Sequence, residues 1–214
     1  MSPVRVIVHG AMGRMGREIL ATLSRQKEME PVGAVDVIPR GDRLPLADST
    51  KVIPYATFLE ELLSRCQADV VVDFSNASAC MKMAPVAAAH GIHLVIGTTG
   101  LKDSDLHTLA GLCKSHQVGI IAVPNFALGA VLLNYLSRIA ARFFDYADIF
   151  EAHHEAKIDA PSGTALALAR GIAGEKKFIR LVPEIEPVAG TRGGEYNGVS
   201  IHCPIPKRRA SRVA

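Results

Sequence analysis

Val4-Arg-Val-Ile-Val-His9, followed at once by Gly10-Ala-Met-Gly13-Arg-Met-Gly16, decides the fold. The apolar run reads as a buried parallel strand, and the residues to about Ser24 as an amphipathic helix. Pro31-Val-Gly-Ala-Val-Asp36 reads as the next strand, so the glycine turn sits inside a βαβ unit. Its G-x-x-G-x-x-G spacing is a variant of the G-x-G-x-x-G dinucleotide fingerprint. The first glycine permits the tight turn, the next lets backbone approach a pyrophosphate, and the last lets helix pack on strand. Asp36 stands where a carboxylate accepts hydrogen bonds from the adenosine ribose, which favours NAD. Arg40 lies close enough to pair with a 2′-phosphate, which admits NADP, unless it is a solvated loop residue. Arg14 and Arg17 either touch phosphate or face water.

Working outward, the pattern predicts helices over 57–66, 79–90 and 103–116, and strands over 68–75, 93–97 and 118–123. This alternation is an α/β signal: an N-terminal, doubly wound, Rossmann-type parallel sheet. Such sheets bind ligands at the carboxyl ends of their strands. Gly10, Ser75, Thr98 and Asn125 all fall at such ends. A long apolar helix over 127–144 then leads to a second, α+β domain that opens with a strand over 148–153. The expected domains are 1–126 for the dinucleotide and 127–202 for substrate, with 203–214 as a separate tail.

The second informative stretch is Glu151-Ala-His-His-Glu-Ala-Lys-Ile-Asp-Ala-Pro-Ser-Gly-Thr-Ala165. His153, His154 and Lys157 can donate protons or hold anions. Gly163, Thr164 and Ala165 open an alanine-rich helix, with Ser162 or Asp159 as its cap. Backbone N–H groups at such a helix start bind carboxylates or phosphates. The stretch therefore reads as a site for a small anionic substrate with an acid beside it. His153 and Lys157 are four apart, and on an extended segment even spacing turns both to one side.

Bulk composition excludes several classes. Hydrophobic residues make up 49% and charged residues 21%, the balance of a globular protein. The net charge of +3 comes from the tail. Removing Lys207, Arg208, Arg209 and Arg212 leaves 20 basic groups against 21 acidic ones, so no basic face for nucleic acid is implied. Cys66, Cys80, Cys113 and Cys203 form no C-x-x-C pair, which argues against a zinc or thioredoxin-type site and for thiols in a reducing compartment. His90 and His93 are three apart, but Gly91 breaks the helix between them and they read as structural. No metal site is expected. No signal-peptide pattern or membrane span is read, and a cytoplasmic location is expected.

Five motifs carry a resemblance: Gly10-Ala-Met-Gly-Arg-Met-Gly16, Asp73-Phe-Ser75, Gly97-Thr-Thr-Gly100, Pro124-Asn-Phe126 and the Glu151 to Thr164 stretch. In order and spacing they resemble the dihydrodipicolinate reductase family, the 4-hydroxy-tetrahydrodipicolinate reductases of the diaminopimelate route to lysine. The resemblance runs to about His202. It implies NADH or NADPH as cofactor and a small dicarboxylate as substrate. It implies that Gly10, Ala11, Met12, Gly13, Arg14 and Met15 bind pyrophosphate and that Asp36 binds ribose. Gly97, Thr98, Thr99, Val123, Pro124, Asn125 and Phe126 would line the nicotinamide end. His153 would be the acid/base and Lys157 the proton donor, while His154, Gly163 and Thr164 would hold the carboxylates. A homotetramer built through the second domain's sheet is implied as well.

The family pattern continues after the Ile-His pair with more sheet and a helix, whereas here Cys203 to Ala214 carries two prolines and a basic cluster. The expectation is a chain truncated or frameshifted after His202. Two other readings follow. One is a dinucleotide-binding fragment with impaired catalysis. The other is a different amino-acid-type dehydrogenase, such as an aspartate dehydrogenase, which would lack the histidine–lysine cluster.

Overall fold

Four successive residues of the first strand, Val6 to His9, are buried, as a central strand covered on both faces requires. The computed structural model describes residues 2–47, 50–123, 125–153, 160–181, 184–188 and 190–203. It divides into two compact units, Met1–Val123 and Pro124–Ala214.

The first unit runs β1 (Val4–His9), α1 (Arg14–Leu23), β2 (Met29–Val35), β3 (Arg43–Pro45), β4 (Val52–Ala56), α2 (Leu59–Leu63), β5 (Val70–Asp73), α3 (Ala77–Ala89), β6 (His93–Ile96), α4 (Asp103–His116) and β7 (Ile120–Ala122). The sheet order is β3-β4-β2-β1-β5-β6-β7. All neighbours pair in parallel except β3, which is antiparallel to β4. Alternate side chains of β1 enter opposite cores, as the strand period of two demands. Val6 and Val8 join Leu20 and Leu23 of α1, with Tyr55, on one face. Ile7 joins Leu62 of α2, Met83 and Ala87 of α3 and Leu109 of α4 on the other. Helices on both faces make the sheet doubly wound, as the sequence predicts.

Two strands were not expected. β3 and β4 carry Pro45 and Pro54, which removes two backbone donors and weakens the strand signal. β3 is the edge strand, and β4 beside it pairs with β2 only at Tyr55 and Ala56, past Pro54, so neither proline removes a central ladder bond. The helix expected over 79–90 spans Ala77–Ala89, with Asn76 Oδ1 accepting from Ala79 N at 3.0 Å as its cap.

The glycine turn is sterically closed. Gly10 has φ +78°, and a Cβ there would stand 2.6 Å from the Phe74 carbonyl oxygen. A Cβ on Gly16 would overlap the Gly10 carbonyl. Helix α1 therefore packs backbone to backbone on the turn.

A buried carboxylate ties three central strand ends together. Asp73, fully buried at the end of β5, accepts from His9 Nδ1 of β1 at 2.6 Å. It also accepts from Ser75 Oγ at 2.6 Å and from Thr98 Oγ1, just past β6, at 2.7 Å. Thr98 Oγ1 accepts in turn from Ser75 N at 2.9 Å. Burial opposes ionisation of Asp73, but the hydrogen bonds from His9, Ser75 and Thr98 prevail and hold its pKa below the usual carboxylate range.

The second unit comprises α5 (Leu128–Ala141), β8 (Asp148–Phe150), α6 (Gly163–Ala173), β9 (Gly194–Tyr196) and β10 (Val199–His202). Its sheet order is β8-β10-β9, with β10 parallel to β8 and antiparallel to β9. Ala165, Ala169 and Ile172 of α6 bury against Ile149, Val199 and Ile201. The unit starts at Pro124, three residues before the expected boundary. Asn125 accounts for this, because its side chain bonds to Thr164 of α6.

Two substitutions test this packing. Gly16→Ala should lower the stability of the first unit by about 1–3 kcal/mol through overpacking. Asp73→Ala should cost about 3–5 kcal/mol, because it strands the buried donors of His9 and Thr98. Urea unfolding followed by circular dichroism measures both, and losses below ~0.5 kcal/mol would contradict the packing described.

Candidate functional site

The carboxyl ends of β1, β2, β5 and β6 bring the first unit's candidate residues together. Gly10, Ala11, Met12 and Gly13 form the turn after β1, and Arg14 and Met15 open α1. Gly10 N donates to Val35 O at 2.9 Å, and Gly13 N to Gly10 O at 3.2 Å. The first-turn N–H groups of α1 lack partners one turn back, so they are donors for an anion laid across the turn. Gly10 and Gly16 close the turn against protein backbone, while Gly13 puts no Cβ in the way of such an anion, and a dinucleotide pyrophosphate fits this cradle.

Asp36, just past β2, is pinned on both oxygens. Met12 N donates to Oδ2 at 2.8 Å and Ile38 N donates to Oδ1 at 3.2 Å. The expected ribose acceptor is thus also the brace of the glycine turn, and each oxygen keeps a further lone pair to offer. Tyr55 OH donates to the backbone carbonyls of Asp36 and Ile38, so β4 fixes the loop that carries this carboxylate. Burial pushes the Tyr55 phenol up, with the Asp36 charge adding to it. Two cavities open along the segment that follows β2. One of ≈ 470 Å³ is lined by His9, Val37, Phe58, Asn76, Lys82 and Met83 among others. The other, of ≈ 410 Å³, is lined by Arg40, Asp42, Tyr55, Thr57 and Glu61 among others.

Gly97 and Thr98 follow β6. The Thr98 hydroxyl is engaged with Asp73 and Ser75 inside the protein, leaving backbone and the exposed Thr99 to face outward. Val123 follows β7, while Asn125 and Phe126 belong to the second unit. Pro124 lies outside the described residues, as do His154, Lys157 and Asp159.

In the second unit the start of α6 is built around Glu151. Glu151 Oε1 accepts the backbone N–H of Ser162 at 2.7 Å, and Oε2 accepts from His153 Nε2 at 2.9 Å. Desolvation alone would raise the Glu151 pKa. The hydrogen bonds from Ser162, then from His153 and the Cys203 thiol, outweigh it and hold the carboxyl at about 2. Ser162 caps the helix, its Oγ accepting from Ala165 N at 3.1 Å. Gly163 and Thr164 are the first two helical residues, and Asn125 Nδ2 donates to Thr164 Oγ1 at 3.2 Å. Strand β8 stops at Phe150, so His153 is not a strand residue as expected, and strand alternation does not orient it. A cavity of ≈ 820 Å³ opens beside this helix start, lined by Phe150, Pro161, Leu166, Tyr196, Ile201 and His202 among others.

Two residues central to this geometry were not singled out from sequence. Asp73 stood out only as a polar end to an apolar strand. Glu151 lies eleven positions before the N–H it accepts, a distance that carries no local signature. Among the described residues, no three His, Cys, Asp or Glu side chains gather as metal ligands, and no helix is long and apolar enough to cross a membrane.

Known proteins match this arrangement along nearly the whole chain. The family described as "Dihydrodipicolinate reductase, N-terminus" matches residues 4–126, and "Dihydrodipicolinate reductase, C-terminus" matches residues 129–207. A 4-hydroxy-tetrahydrodipicolinate reductase of Dehalococcoides mccartyi is 43% identical over 202 residues, covering 94% of this chain and 77% of the relative. That of Moorella thermoacetica is 39% identical over 207 residues, covering 94% and 77%. A solved dipicolinate-bound dihydrodipicolinate reductase from Paenisporosarcina sp. TG-14 superposes with a TM-score of 0.73 at 33% identity, covering 94% of this chain and 78% of that one. With both halves matched in order and more than two thirds of each relative spanned, the chain belongs to the dihydrodipicolinate reductase family.

Proposed function

We propose that the chain reduces 4-hydroxy-tetrahydrodipicolinate to tetrahydrodipicolinate with NADH or NADPH, releasing water, in diaminopimelate and lysine biosynthesis. The observation that carries this is the pairing of a glycine-turn dinucleotide cradle with a capped helix start beside an acid-bearing histidine, in a chain 43% identical to a relative of that name. A reduced nicotinamide, when bound, supplies the hydride.

The chain's own residues do the rest. Gly10 to Met15 hold the pyrophosphate, and Asp36 holds the adenosine ribose. Asp36 supports NADH, and Arg40 in the adjoining cavity supports NADPH, so both are taken as cofactors. Gly97, Thr98, Thr99 and the 123–126 segment bound the nicotinamide end. The first turn of α6, with Gly163 and Thr164, receives one substrate carboxylate, and His154 and Lys157 add positive charge for a dianion. His153 is the acid/base. Its Nε2–H is committed to Glu151, so Nδ1 is the atom that carries the transferable proton. Glu151 stays ionised and, as an acceptor only, holds the imidazole ring in one orientation. Lys157 is the second proton donor. A homotetramer belongs to the same reading, supported by Leu128, Val131, Leu132, Tyr135 and Leu136 of α5, each at least half exposed. A cytoplasmic setting is supported by four cysteines held as thiols.

Turnover is tested by oxidation of NADH and of NADPH with substrate freshly made by the preceding enzyme. His153→Ala should lower kcat by about 10²–10⁴-fold. A folded wild-type chain that neither turns over nor binds either cofactor contradicts the reading. Glu151 gives a second test. Its folded pKa of about 2 lies below the unbonded value of 4.5, so its stabilisation is complete above pH ~4.5 and fades as pH falls toward about 2. Glu151→Gln should therefore cost about 1.5–3 kcal/mol at pH 7, and the gap to wild type should narrow below pH ~4.5 and close only as pH falls to ~2. A pH-independent gap in urea unfolding would contradict this role.

A further inference from the structure

We propose that Asn125 is a positioning residue for substrate: it fixes the Thr164 hydroxyl so that its hydrogen is offered to a carboxylate at the start of α6. The inference rests on the reading of that helix start as a substrate carboxylate site, and extends it to a side chain outside the helix.

Asn125 sits just before α5, whose N-cap is Ala127. Its Oδ1 accepts the backbone N–H of Ala127 at 2.9 Å. That bond decides which end of the amide faces which way, because an amide NH₂ cannot accept from an N–H. Nδ2 is therefore the end presented to Thr164 Oγ1, at 3.2 Å. A threonine hydroxyl has one hydrogen to give and two lone pairs to offer. Asn125 takes a lone pair, so the hydrogen must point elsewhere.

The usual outlet for a helical threonine is the carbonyl one turn back. Thr164 is the second residue of α6, and the residue four before it, Ala160, precedes the helix. Among the described residues the hydroxyl hydrogen meets no acceptor, and it lies at the helix start beside the first-turn N–H groups of Gly163 and Thr164. These donors together match a carboxylate, and an ordered hydroxyl binds an anion better than a rotating one. Asn125 thereby has its side chain committed to the substrate half, whereas sequence assigned the residue to the cofactor.

An acid at position 125 would reverse the polarity. The carboxylate introduced by Asn125→Asp would accept the Thr164 hydrogen and turn a lone pair toward the incoming anion. The test measures dipicolinate binding by calorimetry and substrate KM by kinetics, on wild type, Asn125→Ala, Asn125→Asp, Thr164→Val, Thr164→Ser and the Asn125→Ala/Thr164→Val double variant. Asn125→Ala should weaken both about tenfold, and Asn125→Asp about a hundredfold or more. Thr164→Ser should stay near wild type, and Asn125→Ala should add nothing in the Thr164→Val background. Melting temperatures check folding. If Thr164→Val weakens dicarboxylate binding but Asn125→Asp binds as well as Asn125→Ala, or Asn125→Ala costs as much without Thr164 as with it, the positioning role is overturned alone. If Thr164→Val binds dipicolinate like wild type, the carboxylate site at α6 fails, and this role with it.

Discussion

The first unit depends on one buried charge. Asp73 stands, fully buried, at the point where β1, β5 and β6 end. A carboxylate in that position is costly unless several donors converge on it. His9, Ser75 and Thr98 supply them from three separate segments. The sheet therefore has one arrangement of its carboxyl ends in which the charge is satisfied. That arrangement sets the glycine turn after β1 and the Gly97–Thr99 loop after β6, the two backbone surfaces proposed above to hold a dinucleotide. The apolar cores on either face supply bulk stability, whereas this polar knot fixes register and loop direction.

The second unit uses the same device in a more open setting. Glu151 joins the end of β8 to the backbone N–H of Ser162, and so fixes where α6 begins. Its other oxygen holds His153. One carboxylate thus sets the distance between the His153 imidazole and the start of α6. Just past the other end of α6, Glu175 is gripped by Arg138 and Arg142 from the end of α5, whose guanidinium groups hold its carboxyl below the usual range. These contacts are exposed and contribute little to stability, but they align the two helices whose starts are joined by the Asn125–Thr164 bond.

How much was legible follows from where each signal resides. The βαβ unit announced itself because Val4 to His9 and Gly10 to Gly16 obey local rules of burial and sterics. The doubly wound class followed from strand–helix alternation, and the Ser162 cap from residue type alone. Strands β3 and β4 escaped because Pro45 and Pro54 mimic loop, and only pairing with neighbouring strands makes them strands. The strand leading to His153 was overread by three residues, since Glu151 and Ala152 suit a strand as well as a loop. Asp73, Glu151 and the inward-turned Thr98 hydroxyl were illegible for one reason: their partners are brought near by topology, not by spacing. Asn125 was assigned to the cofactor by its motif, and only the bonds to Ala127 and Thr164 reveal what its amide does. His154, Lys157 and Pro124 keep their motif-based roles as proposals, since they lie outside the described residues.

The central claim is hydride transfer from a dinucleotide held at the glycine turn to a dicarboxylate held at α6. Isotope tracing tests it most directly. NADH carrying deuterium on one face or the other of nicotinamide C4 would be oxidised by the purified chain with fresh substrate, and the product weighed by mass spectrometry. Product made with one of the two labelled cofactors should be one mass unit heavier, and product made with the other unchanged. Oxidation of both cofactors with no label in the product would contradict the account.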